Sequence, residues 1–330
     1  MTKLLEIRDL NTHFFTRDGV AKAVDGVSLT LERGEILGLV GESGSGKSVT
    51  GFSILGLVDA PGRVVSGQVI FDGSDLVAGG ERAMRSLRGK RIAMIFQDPM
   101  MTLNPVLRID TQMVEAVRAH DRVSYKEALR RAREALVSVG ISSPDERLQS
   151  YPHQFSGGMR QRVAIAIALL HKPDLIIADE PTTALDVTIQ AQILSEVQSL
   201  CANSGTSLIW ITHDLAVVSG LADRLAVMYA GRIIEEGPTA DVIANPAHPY
   251  TKGLIESVPQ GKKHGALLSQ IKGMTPSLLR LPQGCKFSPR CPRATAECNV
   301  EPALETVQEG RMVRCIHPHT TPATMEASAR

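Results

Sequence analysis

A glycine-rich stretch at residues 41–48, GESGSGKS, constrains the fold of this chain more than any other feature. It fits the phosphate-loop pattern G-x-x-x-x-G-K-S/T. An apolar run at 36–40 precedes it and an apolar helix is predicted at 48–58, which is the strand–loop–helix context that phosphate binding requires. Glycines let backbone N–H groups curl around phosphates, and the N-terminus of the helix adds partial positive charge. The sequence therefore predicts a site for the phosphates of ATP.

The loop supplies most of the residues that we expect to bind ATP. Lys47 is expected to reach the β- and γ-phosphates, and the Ser48 hydroxyl is expected to bind Mg²⁺. The predicted ATP-binding residues of this region are Gly41, Glu42, Ser43, Gly44, Ser45, Gly46, Lys47, Ser48 and Val49.

Two carboxylates follow a second predicted strand. The stretch DLIIADE at 174–180 has four apolar residues and ends on Asp179 and Glu180. Asp179 is expected to hold Mg²⁺, directly or through water. Glu180 is expected to polarise an attacking water as a general base, a role that typically contributes ~10²–10⁴-fold in rate. Together with the phosphate loop, this acidic pair predicts an enzyme that hydrolyses ATP.

The order of the patterns predicts an α/β fold with a parallel sheet. Residues 1–96 are predicted to be mostly strands and turns, and residues 98–170 mostly helical. The run SYKEALRRAREALVSVG opens with Ser124 and Glu127 at capping-box spacing and carries one apolar stripe. Beyond it, strands and helices alternate again, with a helix at 187–202 and strands in SLIWITHD and RLAVMYAGRIIEEG. The helical segment is therefore predicted to be an insertion into a parallel-sheet domain.

A second glycine-rich stretch, FSGGMRQR at 155–162, lies far beyond the phosphate loop. Ser156 can cap a helix that begins near Gly157, which leaves backbone N–H groups free to bind an anion. Because this helix end belongs to the insertion, we expect it to act on the nucleotide of a second subunit. In a two-fold or pseudo-two-fold dimer, each subunit would offer Ser156, Gly157 and Gly158 to the γ-phosphate held by the other.

These motifs, in this order, resemble those of the nucleotide-binding subunits of ABC transporters over about residues 4–257. FSGGM is similar to the family's signature motif, with Met159 where the commonest signature has glutamine. The stretches IFQDP and TALD are similar to the Q-loop and the D-loop. The resemblance implies that Gln97 approaches Mg²⁺, that Asp186 lies at the nucleotide, and that His213 in WITHD contacts the γ-phosphate.

The same resemblance implies an aromatic side chain that stacks on adenine. This side chain is Phe14, or its neighbour Phe15. The implied cofactors are ATP and Mg²⁺, with Ser48, Gln97 and Asp179 around the metal. The resemblance assigns the chemistry of hydrolysis to three residues, Glu180, His213 and Gln97.

The implied fold is an α/β P-loop NTPase core of ABC type, followed by a small irregular extension that carries cysteines. The nucleotide-binding domain would occupy residues 1–257, with an antiparallel β subdomain and a helical insertion at about 98–170. The extension would occupy residues 258–330. Its stretch MTPSLLRLPQGCKFSPRCPRATAEC, and AHPYTKGLIESVP before it, resemble the C-terminal extension of the oligopeptide/dipeptide importer subfamily.

Four cysteines of this extension raise the question of a metal. Zinc ribbons usually place cysteines in closer pairs than the spacing C-x5-C-x6-C-x16-C, whereas an iron–sulfur cluster needs only four converging sulfur atoms. Spacing alone leaves an iron–sulfur cluster, zinc and unmetallated thiols open, and His317 could replace one ligand. Resemblance to importer subunits that carry a 4Fe–4S iron–sulfur cluster here favours the cluster. The predicted ligands are Cys285, Cys291, Cys298 and Cys315.

The net charge and the hydropathy of the chain limit the kinds of partner that it can bind and where it can lie. The net charge is +1, which gives no basic footprint for nucleic acid. No apolar run approaches the ~20 residues that span a bilayer, and the N-terminus has no secretory h-region. We therefore expect the chain to stay in the cytoplasm, and the resemblance implies a peripheral position on the cytoplasmic face of the bacterial inner membrane.

The resemblance also implies a set of protein partners. These are a second ABC ATPase subunit, expected to be a divergent paralogue, two transmembrane permease subunits and an extracytoplasmic substrate-binding protein. The implied function is ATP-driven import of di- or oligopeptides. The alternatives are nickel or another small solute as cargo, a soluble ABC ATPase acting on nucleic acid or ribosomes, and a regulatory module with a vestigial ATPase.

Overall fold

The computed structural model describes residues 2–182, 187–257 and 270–319. Within these ranges the strands form an eight-stranded sheet and a separate four-stranded sheet. The strands are Lys3–Thr16 (β1), Gly19–Glu32 (β2), Ile36–Val40 (β3), Gly62–Phe71 (β4), Ser74–Asp75 (β5), Ile92–Ile95 (β6), Leu175–Asp179 (β7), Ser207–Thr212 (β8), Arg224–Tyr229 (β9), Arg232–Pro238 (β10), Glu305–Gln308 (β11) and Arg311–Val313 (β12).

Four of the α-helices lie between β6 and β7 along the chain. In the part of the chain that is described, none of the helices combines the length and the apolar character needed to cross a bilayer. The α-helices are Lys47–Ile54 (α1), Leu76–Leu87 (α2), Ile109–Arg118 (α3), Tyr125–Ser138 (α4), Pro144–Leu148 (α5), Gly157–Leu169 (α6), Val187–Ser204 (α7), Leu215–Ser219 (α8), Thr239–Ala244 (α9) and Pro249–Ser257 (α10).

The larger sheet carries the site. Its strand order is β11-β12-β10-β9-β3-β8-β7-β6, and the strands from β9 to β6 are parallel. Every residue of β3, β7 and β8 is buried, which is why these strands appear in the sequence as continuous apolar runs. Val40 is paired with Thr212, and Asp179 with Ile211, so the carboxyl ends of the three strands meet at one edge. This confirms the predicted P-loop α/β core.

The smaller sheet is antiparallel in the order β2-β1-β4-β5, as expected for the β subdomain. Its long strands pack on α1, and Thr12 of β1 shares a buried hydrogen bond of 2.7 Å with Ser53 of α1. This packing places the far end of β1, including Phe14, beside the phosphate loop.

The predicted helical insertion is present as α3, α4, α5 and α6, packed around an apolar core. The Ser124 hydroxyl accepts a hydrogen bond from the Glu127 N–H at 3.2 Å, so the predicted N-terminal cap of α4 is confirmed. Ala128, Ala132 and Leu136 on its apolar stripe are fully buried. The insertion therefore packs as an ordered unit that ends on the helix carrying the second glycine-rich stretch.

The C-terminal extension packs closely against the core. Strand β12 pairs with β10, so the extension adds an antiparallel hairpin to the edge of the larger sheet. Phe287 is buried, with its ring centroid 5.3 Å from that of Tyr229 and 5.4 Å from that of Tyr250. The predicted domain boundary near residue 257 falls beside residues 258–269, which lie outside the described ranges, and the division stays a prediction.

Candidate nucleotide-binding site

A cavity of about 1120 Å³ opens at the carboxyl edge of the larger sheet, between the two sheets and the C-terminal extension. It is large enough for a cofactor-sized ligand. Its lining brings together most of the residues predicted from sequence. These are Phe14, Gly41, Glu42, Ser43, Gly44, Gly46, Lys47, Ser48, Val49, Gln97, Glu180 and His213.

The phosphate loop needs glycine where the backbone passes close to its neighbours. Gly46 has φ 104°, and a Cβ atom there would lie 2.1 Å from the Ala23 carbonyl oxygen. A Cβ atom at Gly41 would lie 2.2 Å from the Met228 carbonyl oxygen. Lys47 donates from inside the loop to the carbonyl oxygens of Gly41 at 2.8 Å and Glu42 at 3.0 Å. The loop is thus tightly folded around its lysine.

Burial and neighbouring polar groups have opposite effects on the pKa values of Lys47 and Asp179 at the base of the loop. Burial lowers the pKa of Lys47, while Glu180, Asp179 and Glu42 partly counteract it. Burial also raises the pKa of Asp179, against the hydrogen bond that the Ser48 hydroxyl donates to it at 2.8 Å. Oxygen donors of this kind suit Mg²⁺, and the hydroxyl and carboxylate already lie within hydrogen-bond distance. Ser48 and Asp179 therefore fit the predicted magnesium ligands.

Glu180 follows β7 and contacts residues that follow the neighbouring strands β6 and β8. Its Oε2 lies 3.1 Å from His213 Nδ1, beyond β8, and accepts a long hydrogen bond of 3.5 Å from Gln97 Nε2, beyond β6. Its backbone has φ 43°, an uncommon value for a residue other than glycine, and its N–H donates to the Ile211 carbonyl at 2.9 Å. The strained turn aims the carboxylate into the cavity. The three predicted catalytic residues are brought together, and their roles stay predictions.

The structure distinguishes the two aromatic candidates. Phe14 lines the cavity, whereas Phe15 is 40% exposed and its ring lies under the Arg63 guanidinium at 4.4 Å. The alternation of side chains along a strand sends neighbouring residues to opposite faces, so only one of the pair can face the nucleotide cavity. Phe14 is therefore the better placed of the two candidates, and its stacking on adenine stays a prediction.

The second glycine-rich stretch lies elsewhere on the surface. Ser156 is the N-cap of α6, and its Oγ accepts a hydrogen bond from the Met159 N–H at 3.3 Å. Ser156, Gly157 and Gly158 are all described, and all lie outside the lining of the cavity. The exposed helix end is therefore available to another molecule, as predicted. Asp186 and the rest of the predicted D-loop lie outside the described residues.

The four extension cysteines line one small cavity of about 10 Å³, roughly the space of a single water molecule. All four are free thiols, and burial raises the pKa of Cys315 to about 11. They converge, which suits a four-thiolate site, yet no group of three or more His, Cys, Asp or Glu within the described ranges is arranged to hold a metal ion. The metal centre at these cysteines stays a prediction. Cys201, predicted to be a buried apolar residue, is 4% exposed in α7.

Residues of the C-terminal extension also line the cavity, which the sequence patterns did not indicate. Arg290 lines it and pairs with Glu42 of the phosphate loop at 2.7 Å and 3.0 Å. The Thr275 hydroxyl donates to the same carboxylate at 2.6 Å, and the Glu42 N–H donates to the Tyr250 hydroxyl at 2.9 Å. These partners lie in the stretches that resemble the importer extension, but no local pattern indicated that they reach the phosphate loop.

Known proteins resemble this chain over nearly its whole length. The oligopeptide transport ATP-binding protein OppD of Salmonella typhimurium is 48% identical over 315 residues, covering 96% of this chain and 94% of that protein. The probable peptide ABC transporter ATP-binding protein y4tR of Sinorhizobium fredii is 50% identical, covering 94% of each. The dipeptide transport ATP-binding protein DppD of Bacillus subtilis is 48% identical, covering 96% of this chain and 95% of that protein.

Solved structures and family comparisons agree. The dimeric post-hydrolysis state of the ATP-binding cassette MJ0796, bound to ADP and Pi, has a TM-score of 0.65 at 26% identity, covering 71% of this chain and 98% of that one. Residues 24–183 match the ABC transporter family, and residues 234–298 match the oligopeptide/dipeptide transporter C-terminal region. The chain therefore belongs to the ABC transporter family, as an ATP-binding protein whose C-terminal region is of the oligopeptide/dipeptide transporter type.

Proposed function

We propose that this protein is the ATP-hydrolysing subunit of a bacterial importer of di- or oligopeptides. The observation that supports the ATPase most directly is the convergence of Lys47, Glu180 and His213 on one cavity at the edge of the parallel sheet. The peptide cargo is supported by the relatives, which are named as oligopeptide and dipeptide transport proteins over almost the whole chain.

In this proposal, each residue of the cavity has a distinct task. Lys47 and the loop N–H groups hold the phosphates, Ser48 and Asp179 hold Mg²⁺, and Phe14 stacks on adenine. Glu180 takes the proton of the attacking water, since its carboxylate reaches the cavity and is held by two neighbours. His213 and Gln97 orient that carboxylate. Mg²⁺, when bound, neutralises the charge that develops on the phosphates.

The exposed N-terminus of α6 supports a paired ATPase. Ser156 would bind the γ-phosphate held by a second ATPase subunit, which we propose to be a divergent paralogue. ATP would then bridge the two subunits and hydrolysis would release them. This geometry explains why the glycine-rich stretch at 155–162 lies outside its own chain's cavity.

We propose a docking surface for the membrane partners beside Gln97. Met101 and Val106, just beyond it, are 66% and 75% exposed, although both are large and apolar. Large apolar residues exposed on one segment are consistent with an interaction site. We propose that a short helix of a permease subunit packs here, so that closure of the ATPase pair moves the permease. The protein would then sit at the cytoplasmic face of the inner membrane, served by an extracytoplasmic binding protein.

The double substitution Met101→Glu and Val106→Glu should separate the ATPase from its permeases. Charged side chains cannot be buried unpaired in an apolar contact, so the detergent-solubilised complex should lose this subunit and its peptide-stimulated ATP hydrolysis. Val137→Glu provides a control, because Val137 is also apolar and 52% exposed but lies on α4. Association of the double variant at the unaltered level, or co-purification of the protein with nucleic acid or ribosomes, would contradict the proposal.

We also propose that the four extension cysteines hold a metal centre, with a 4Fe–4S iron–sulfur cluster favoured and zinc as the alternative. The support is the shared cavity of Cys285, Cys291, Cys298 and Cys315. That cavity has a volume of only about 10 Å³, so it would have to widen to admit a cluster. A bound metal would stabilise the fold of the extension, which has few large apolar residues of its own.

Metal analysis of anaerobically purified protein tests this assignment. A cluster predicts about four iron and four sulfide per chain, with visible absorbance, all lost in Cys298→Ser. Cys201→Ala is the matched control, because Cys201 is buried in α7 away from the extension and should keep the metal. About one zinc ion per chain, without iron, would exclude the cluster and support the zinc alternative. Protein purified without any metal would contradict both assignments.

A further inference from the structure

Glu42 is an acidic residue in the loop that is expected to receive a triphosphate. It lines the cavity together with Lys47, and an unpaired carboxylate there would repel the phosphates. The structure gives this carboxylate three hydrogen bonds, all from the C-terminal extension. Two come from Arg290, at 2.7 Å and 3.0 Å, and one comes from Thr275 at 2.6 Å.

The charge of Glu42 is firmly paired. Burial would raise the pKa of Glu42, but hydrogen bonds from Arg290 and Thr275, together with the charges of Arg290 and Lys47, hold the pKa below its ordinary value. The carboxylate is therefore ionised at neutral pH, and its charge is balanced by the bidentate guanidinium.

Arg290 is itself held in position. Its side chain is only 6% exposed, and its Nε donates to the Lys272 carbonyl at 3.1 Å. Its guanidinium lies 5.8 Å from the ring centroid of Tyr229 and 6.0 Å from that of Phe287. A planar cation packed against aromatic rings loses little further freedom when it pairs with a carboxylate, which suits a fixed clamp.

We propose that Arg290 is a positioning residue of the nucleotide site, which neutralises and orients Glu42 so that the phosphate loop accepts the polyphosphate of ATP. In this proposal the C-terminal extension forms part of the ATP site, because it supplies Arg290. The proposal rests on the assignment of the phosphate loop to ATP.

A charge-balance experiment tests the proposal on the purified full-length protein. Arg290→Ala leaves Glu42 unpaired, and its Kd for Mg-ATP should rise about tenfold. Glu42→Gln removes the repelling charge and leaves Arg290 beside the phosphates, so ATP should bind more tightly. The double variant, Glu42→Gln with Arg290→Ala, has neither charge and should recover most of the affinity lost in Arg290→Ala.

Thermal unfolding separates this role from a purely structural one. Every one of these variants lacks the ion pair, so each should lose some stability, and the double variant should not regain it while its ATP affinity returns. A double variant that binds ATP as weakly as Arg290→Ala, or an Arg290→Ala protein with wild-type affinity, would overturn the proposal. Wild-type affinity in Lys47→Ala would instead show that the loop assignment itself is wrong.

Discussion

Glu180→Gln will lower the rate of ATP hydrolysis by roughly 10²–10⁴-fold, because the amide cannot take a proton from the attacking water. The substitution preserves the size of the side chain and can keep the contacts with His213 and Gln97. ATP binding should therefore survive. Because unhydrolysed ATP would continue to bridge the two ATPase subunits, the variant should accumulate as an ATP-bound pair. Steady-state phosphate release and size-exclusion chromatography with ATP measure the two effects.

The matched control is Glu81→Gln. Glu81 is a surface carboxylate of α2, with a side chain 70% exposed and paired with Arg88 at 2.6 Å, so its loss should change hydrolysis little. A Glu180→Gln protein that hydrolyses ATP near the wild-type rate would exclude Glu180 as the general base. Loss of ATP binding in the same variant would indicate a role in holding the nucleotide.

Lys47→Ala will weaken ATP binding by roughly 10²–10³-fold, and hydrolysis will fall with it. Lys47 is 4% exposed, and its ammonium group lies within the phosphate loop. Its removal also leaves the carbonyl oxygens of Gly41 and Glu42 without their donor, so the empty loop should lose order. Equilibrium titration with Mg-ATP and thermal unfolding in its absence measure the two consequences.

Lys126→Ala serves as the control for this charge. Lys126 is an exposed lysine in the first turn of α4, outside the cavity, so its removal changes the net charge equally without touching the loop. Equal affinities for ATP in Lys47→Ala and Lys126→Ala would remove Lys47 from the nucleotide site. A lower thermal midpoint without a change in affinity would assign Lys47 a structural task alone.

Local patterns indicated most of the core correctly. The strands β3, β7 and β8 were visible as apolar runs because each is buried on both faces, and the parallel order then placed their polar ends at one edge. Several elements were missed, among them α8, α9, α10 and the hairpin of β11 and β12, and α2 lies where strands and turns were predicted. Gly79 and Gly80 lower its helix propensity, and Gly80 interrupts it with φ 67°. Its start depends on the Asp75 side chain, which accepts from the Val77 and Ala78 N–H groups.

The sequence by itself determined the phosphate loop, the buried strands and the carboxylates at their ends. These features depend on residues that are close along the chain, where turn chemistry and periodicity act directly. Only the tertiary structure decided between Phe14 and Phe15, gathered the four cysteines around one cavity, and brought Arg290 to Glu42. Such contacts join segments far apart along the chain, as do the pairing of β12 with β10 and the packing of Phe287 against Tyr229 and Tyr250. No local period encodes that packing.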